Sequence, residues 1–195
     1  AYETMIALIV SDPDAEAEPT QKDFLPIGVE VAVGRLLSMP DDNNSALIQG
    51  RRRLEVLEFT QTEPYFRVRA RVIVESTHVD RQTEALMRTS RDLFERCVQL
   101  DRSLPEEEAH LFSLNIQEPG WLADMIATAI SLPFTERQKL ITITDPQERL
   151  KHLNWLLAQE LDVLQLEDEI QTRVQSEVDR SQREFYLREQ MKAIQ

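Results

Sequence analysis

DPQERLKHLNWLLAQELDVLQLEDEIQTRVQSEVDRSQREFYLREQMKAIQ, Asp145 to Gln195, reads as a single helix. Asp-Pro at its head supplies an N-cap and then proline at the first helical position, where a missing N–H costs nothing. Beyond Pro146 there is neither glycine nor proline, so the pattern runs for roughly fifty residues, about 75 Å at 1.5 Å per residue. Its character changes midway. Leu150, Leu153, Leu157, Leu161 and Leu164 keep the three-four spacing of a packed stripe, whereas Leu166, Ile170, Val174 and Val178 are separated by charged and amide side chains. The first half is expected to bury on a helical bundle, and the second to project as an arm or pack on another copy. No turn signal closes the helix at Gln195, so the chain is expected to be part of something longer.

Upstream of this helix the period is helical back to about Val79. DRQTEALMRTSRDLFERCVQLDRSL places Leu86, Phe94, Cys97, Val98 and Leu100 near one face. Pro105 opens a short segment, PEEEAHLFSLNI, with its acidic residues in the first turn, where the helix dipole favours them. EPGWLADMIATAISL is almost wholly apolar and therefore central, and PFTERQKLITI follows with Thr135 near its start.

From Met5 to about Ser76 the pattern is β. MIALIVS, VEVAVGRLL, ALIQG, RRLEVLEFT and YFRVRARVIVE are rich in branched residues and bounded by turn chemistry. The breaks DPDAEAEPTQKD, MPDDNNS and QTEP contain proline, which cannot donate to a ladder, and Asp and Asn, which bond their own backbone. The first of them is acidic and expected to be mobile.

With 195 residues, 42% of them apolar, the chain can bury one large core or two small ones. Its apolar runs are too short for a membrane span, and AYETMIALIVSDPD lacks a secretory pattern, which points to the cytoplasm or an organelle matrix. Cys97, alone of its kind, reads as a buried structural thiol. A net charge of -13 repels a phosphate backbone over most of the surface, so nucleic-acid binding is not expected. One local exception exists: Arg51, Arg52 and Arg53 open one strand, and Arg67, Arg69 and Arg71 share a face of the next. Glu55, Glu58 and Glu63 are placed to balance them, which makes a solvated sheet face the plainer reading and an anion-docking patch the rival.

Residues with the spacing of a catalytic site are missing. Gly28, Gly34, Gly50 and Gly120 form no phosphate-cradling loop, and His78, His110 and His152 are scattered without metal-ligand spacing. Asp41 and Asp42, and Glu106 to Glu108, sit where loops and helix starts account for them.

The string QREFYLREQMKAIQ, Gln182 to Gln195, resembles the stretch by which ATP-dependent proteases of the Lon family join their N-terminal region to the AAA+ ATPase module. MIALIVS, PIGVEVAVGRLL, QGRRRLEVLEF, PGWLADMIA and DPQERLKHLNWLLAQELDVLQLEDEI resemble the Lon N-terminal region in the same order. The resemblance implies an α+β fold: a β-rich subdomain over 1–77, twisted sheet or partial barrel, a helical bundle over 78–144, and a long helix over 145–195 leading to the ATPase module. Family members usually begin with an apolar, proline-containing strand and a helix ahead of the segment matching MIALIVS, so an unpaired sheet edge is expected. It also implies that this region engages unfolded or damaged proteins and helps set a hexameric ring. ATP and magnesium, and the Ser-Lys peptidase dyad, would belong to modules beyond Gln195, and no cofactor is expected here.

A recogniser of unfolded chains needs exposed apolar side chains on an adaptable surface. Phe24, Leu25, Met39, Pro40, Tyr65 and Phe66 are the candidates, with ordinary packing as the alternative for each. For assembly the arm offers Leu166, Ile170, Val174, Val178, Phe185, Tyr186 and Met191, which would otherwise meet the ATPase module. The rival function is a stand-alone module that docks an acidic partner or nucleic acid through Arg67, Arg69 and Arg71.

Overall fold

Alternating branched residues form four antiparallel strands: β1 (Met5–Val10), β2 (Phe24–Ser38), β3 (Asn44–Gln61) and β4 (Arg67–Val72), side by side in the order β1-β2-β3-β4. The computed structural model describes residues 3–15, 18–38, 44–101 and 116–194. Helices α1 (Arg81–Leu100), α2 (Pro119–Ala129), α3 (Phe134–Thr142) and α4 (Pro146–Ile194) follow. Contacts divide the chain into one unit of Ala1–Thr77 with Ser131–Arg149 and another of His78–Ile130 with Leu150–Gln195. The division differs from one at 78 and 145, because α3 groups with the sheet. Most of PEEEAHLFSLNI lies outside the described residues; its last residue, Ile116, is buried.

In the sheet unit, ALIQG and RRLEVLEFT are one strand rather than two. The interruption read at Gly50 is a bulge: Glu30 pairs with Arg52 and Val31 with Gly50, leaving Arg51 as the extra residue. Ile27, Val31 and Leu54 are buried. Gly28 permits the tight approach of β1, since a Cβ there would lie 3.0 Å from Ile6 Cγ2 and 3.1 Å from the Ala7 carbonyl oxygen. β4 is shorter than the run YFRVRARVIVE, and Tyr65 and Phe66 belong to the turn before it. The loop expected to be mobile ends in an ordered feature: the Thr20 N–H and hydroxyl each donate to Asp23 Oδ2 at 2.7 Å, holding that carboxyl below its ordinary pKa.

The sheet unit is closed by charge. Arg149, fully buried, donates from Nη1 to Glu75 Oε2 (3.1 Å) and from Nη2 to Glu75 Oε1 (2.6 Å). Its Nε and Nη2 also reach the Ile143 carbonyl at 3.0 and 2.7 Å. Arg53, 9% exposed, donates from Nη1 to Glu75 Oε1 (3.0 Å) and from Nε to the Ile141 carbonyl (2.9 Å). Two guanidinium groups thus share one carboxylate and cap carbonyls at the end of α3, where the dipole is negative. Gln138 adds a second tie, its side-chain amide donating to the Val10 and Ser11 carbonyls.

In the helical unit, α1 starts at Asp80, whose Oδ1 accepts from the Thr83 N–H and hydroxyl at 2.7 Å each. These donors hold its carboxyl below the ordinary pKa, against a smaller opposing effect of burial. Met87, Ser90, Phe94, Cys97 and Val98 form the buried face of α1, while Leu86 and Leu100 are only half-buried. α4 starts as read, Asp145 Oδ1 accepting from the N–H groups of Gln147 (2.8 Å) and Glu148 (3.0 Å). Its Leu150, Leu153, Leu156, Leu157 and Leu161 are buried, as are Leu122, Ala123 and Ile126 of α2. A polar clasp joins α1 to α4: Ser90 donates to Asn154 Oδ1 at 2.6 Å, and the Asn154 amide donates to the Leu86 carbonyl at 3.2 Å. The stripe ends at half-buried Leu164, and every side chain from Gln165 to Arg188 is exposed.

Cys97 is 1% exposed, its Sγ 3.6 Å from the Leu157 carbonyl oxygen. Burial first, then the charge of Glu160, pushes the thiol up from an ordinary 9.0 to about 11.

Replacing Glu75 with alanine leaves two buried guanidinium groups without their carboxylate and should lower the unfolding free energy by about 3–5 kcal/mol in a urea titration; a loss below about 1 kcal/mol would contradict the arrangement. The folded Cys97 should resist an aromatic disulfide reagent at pH 8, because only the thiolate attacks. As pH rises from 9 towards 11, the unfolded thiol ionises before the folded one, so unfolding becomes easier across that window.

Candidate functional site

At one end of the sheet, β2 begins with Phe24, β3 nears its end with Phe59, and the turn before β4 presents Phe66. Their rings form a cluster: Phe24 stacks on Phe59 at 6.0 Å between centroids, and Phe66 meets Phe24 edge-on at 5.1 Å and Phe59 at 5.8 Å. All three are half-buried. Register explains the meeting, since Ile27 pairs with Glu55 just inward of Phe24 and Phe59, and Phe59 pairs with Val68, two residues after Phe66. The turn is stapled by Gln61 Nε2 donating to the Tyr65 carbonyl (3.1 Å) and Thr60 Oγ1 to the Arg67 carbonyl (3.3 Å). It also contains a cis peptide bond between Glu63 and Pro64. Tyr65 stands outside this frame, 60% exposed.

Of the sequence candidates, Phe24 and Phe66 come together and Tyr65 adjoins them along the chain. Leu25, next on an extended strand, points to the opposite face and is half-buried. Met39 and Pro40 lie outside the described residues. Phe59 was missed; its place as an apolar residue near the end of a strand was the available signal. Trp121 and Trp155, 56% and 51% exposed, were missed as well, each hidden inside a helix pattern that reads as core. The arm candidates Leu166, Ile170, Val174, Val178, Phe185, Tyr186 and Met191 are exposed by 43–69%.

The basic face of β4 is matched with acid. Arg67, Arg69 and Arg71 do share the exposed side of the strand. Arg69 pairs with Glu58 at 2.8 Å, Arg71 Nε donates to Glu55 at 3.0 Å, and Arg67 pairs with Glu3. Arg53 is buried on Glu75, and Arg52 pairs with Glu30. A phosphate would meet these carboxylates beside every one of the three arginines and be repelled by them. The geometry therefore favours the solvated face over an anion-docking one. Among the described residues, no three His, Cys, Asp or Glu side chains converge as a metal site, and no helix is long and apolar enough to cross a membrane.

Sheet, helical unit and long exposed helix define an α+β domain. Residues 2–159 match the family model described as the ATP-dependent protease La (LON) substrate-binding domain, and the chain belongs to that family. It is 40% identical over 169 residues to Lon protease 2 of Herpetosiphon aurantiacus, covering 87% of this chain and 21% of that protein. It is 39% identical over 178 residues to a Lon protease of Dictyoglomus thermophilum, covering 91% and 22%. The chain thus spans about a fifth of the length of these curated relatives. The solved N-terminal domain of Lon protease from the Mycobacterium avium complex shares the fold, with a TM-score of 0.63, 18% identity, and coverage of 80% of this chain and 90% of that one.

Proposed function

We propose that this chain is the substrate-recognition and assembly region of a Lon-type ATP-dependent serine protease that degrades misfolded and regulatory proteins in the cytoplasm. The observation that carries the recognition half is the Phe24–Phe59–Phe66 cluster with Tyr65 beside it. An unfolded polypeptide offers scattered apolar side chains without fixed geometry. A half-open aromatic surface on a stapled sheet end can accept many of these in turn, because ring faces and edges both make productive contacts. On this reading ATP and magnesium act in the ATPase module and peptide hydrolysis in the peptidase module, while this region holds the substrate. Hexamer formation of the whole enzyme draws on the exposed half of α4.

The test is the affinity of a reduced, alkylated and therefore unfolded protein, followed by fluorescence anisotropy. Tyr65→Ser should weaken it by roughly fivefold, about 1 kcal/mol, with the urea midpoint unchanged because the side chain is largely exposed. Undiminished affinity would remove this end of the sheet as the contact surface.

A further inference from the structure

The aromatic end of the sheet lies in an acidic setting. The loop between β1 and β2 is hung at this end: Val10 pairs with Phe24, and one step outward the Ser11 N–H and hydroxyl donate to the Asp23 carbonyl at 2.7 and 3.0 Å. Its sequence, SDPDAEAEPTQKD, holds five acidic residues against the single Lys22. Asp12, Asp14 and Glu18 are exposed, and Asp23 immediately precedes Phe24. The Thr20 hydroxyl and N–H keep the Asp23 carboxyl ionised. From the turn before β4, exposed Glu63 stands two residues from Tyr65.

The basic groups at this end do not cancel these charges. Arg67 pairs with Glu3. Gln138 ties α3 to Val10 and Ser11, and its neighbours Arg137 and Lys139 exceed Glu136 by one charge only. An excess of negative charge is left beside the rings. With a Debye length of about 10 Å at about 0.1 M salt, charges next to a bound segment count for far more than those elsewhere on the chain.

We infer that the aromatic end of the sheet selects apolar segments flanked by lysine or arginine and disfavours those flanked by aspartate or glutamate. This rests on the recognition half of the proposed function and names the class of segment that it takes. Apolar contact with Phe24, Phe59, Phe66 and Tyr65 accepts many sequences alike, and the charge beside the rings discriminates among them. A flanking lysine gains in two ways: its ammonium meets the acidic loop, and its methylene stem can lie along a ring. A carboxylate in the same place meets like charge, which is the repulsive element that specificity needs.

Two fluorescent peptides test it, sharing one core of phenylalanine, leucine and valine and flanked on each side by two lysines or by two glutamates. In anisotropy titrations with the full chain at about 0.1 M salt, the lysine-flanked peptide should bind about tenfold more tightly, the ratio shrinking as salt rises. The triple variant Asp14→Asn, Glu18→Gln, Glu63→Gln should reduce that ratio to about twofold. Removing the same charge from α4, with Glu167→Gln, Glu169→Gln and Glu177→Gln, should leave it unchanged. Equal affinity of the unmodified chain for both peptides, or a ratio that falls equally in both triple variants, would overturn the inference. Tyr65→Ser separates this from the underlying reading, since it should weaken both peptides by one factor. Equal peptides that Tyr65→Ser still weakens would overturn the charge selectivity alone, whereas two peptides indifferent to Tyr65→Ser would remove the surface and the inference with it.

Discussion

Two buried guanidinium groups on one carboxylate hold the sheet unit together. Arg53 comes from β3, Glu75 from the segment after β4, and Arg149 from the first turn of α4; together they also take the carbonyls of Ile141 and Ile143. Burying such ions costs several kcal/mol each unless partners are supplied in full. Here the two guanidinium groups and their acceptors come from four separate stretches of chain, so the cost is offset only when all four are in place. That requirement selects one arrangement of strands and α3, which apolar contact among Ile27, Val31 and Leu54 would specify less sharply. It also explains why contacts assign Ser131–Arg149 to the sheet although its residues look helical in sequence.

The helical unit works by the opposite means. Its core is largely apolar, with Leu150, Leu153 and Leu157 fully buried and a small polar clasp, Ser90 to Asn154, fixing α1 against α4. Cys97 fits this pattern as a small apolar side chain whose burial suppresses its reactivity. α4 therefore changes surroundings twice along its 49 residues: an ionic anchor at Arg149, an apolar bed to Leu161, then exposure. Such a helix can carry a bound or paired surface at its far end without contributing to the core.

The main elements were legible because they rest on local rules. The Asp145-Pro146 cap, the leucine stripe of α4 and its fading after Leu164, and the alternation of Arg67, Arg69 and Arg71 all follow from period and capping chemistry. What was hidden depends on distance in sequence. Nothing near Arg149 announces Glu75, 74 residues away, and nothing near Ser90 announces Asn154. Gly50 looked like a strand end because a bulge and a turn share the same residue preference. In the candidate site, Phe24 and Phe66 could be named as apolar residues beside turns. Their meeting with Phe59 needed the register of three strands, and the fate of the basic face needed cross-strand carboxylates whose alignment only that register supplies.

The proposed function divides labour between two surfaces, recognition at the aromatic end of the sheet and assembly along the exposed half of α4. Amide hydrogen exchange of the full chain, with and without a saturating unfolded protein, tests that division most directly. The account predicts slowed exchange around Phe24 and from Phe59 to Arg67, with exchange from Gln165 to Arg188 unchanged by the ligand. Protection confined to the α4 segment, with the sheet end unaffected, would contradict it.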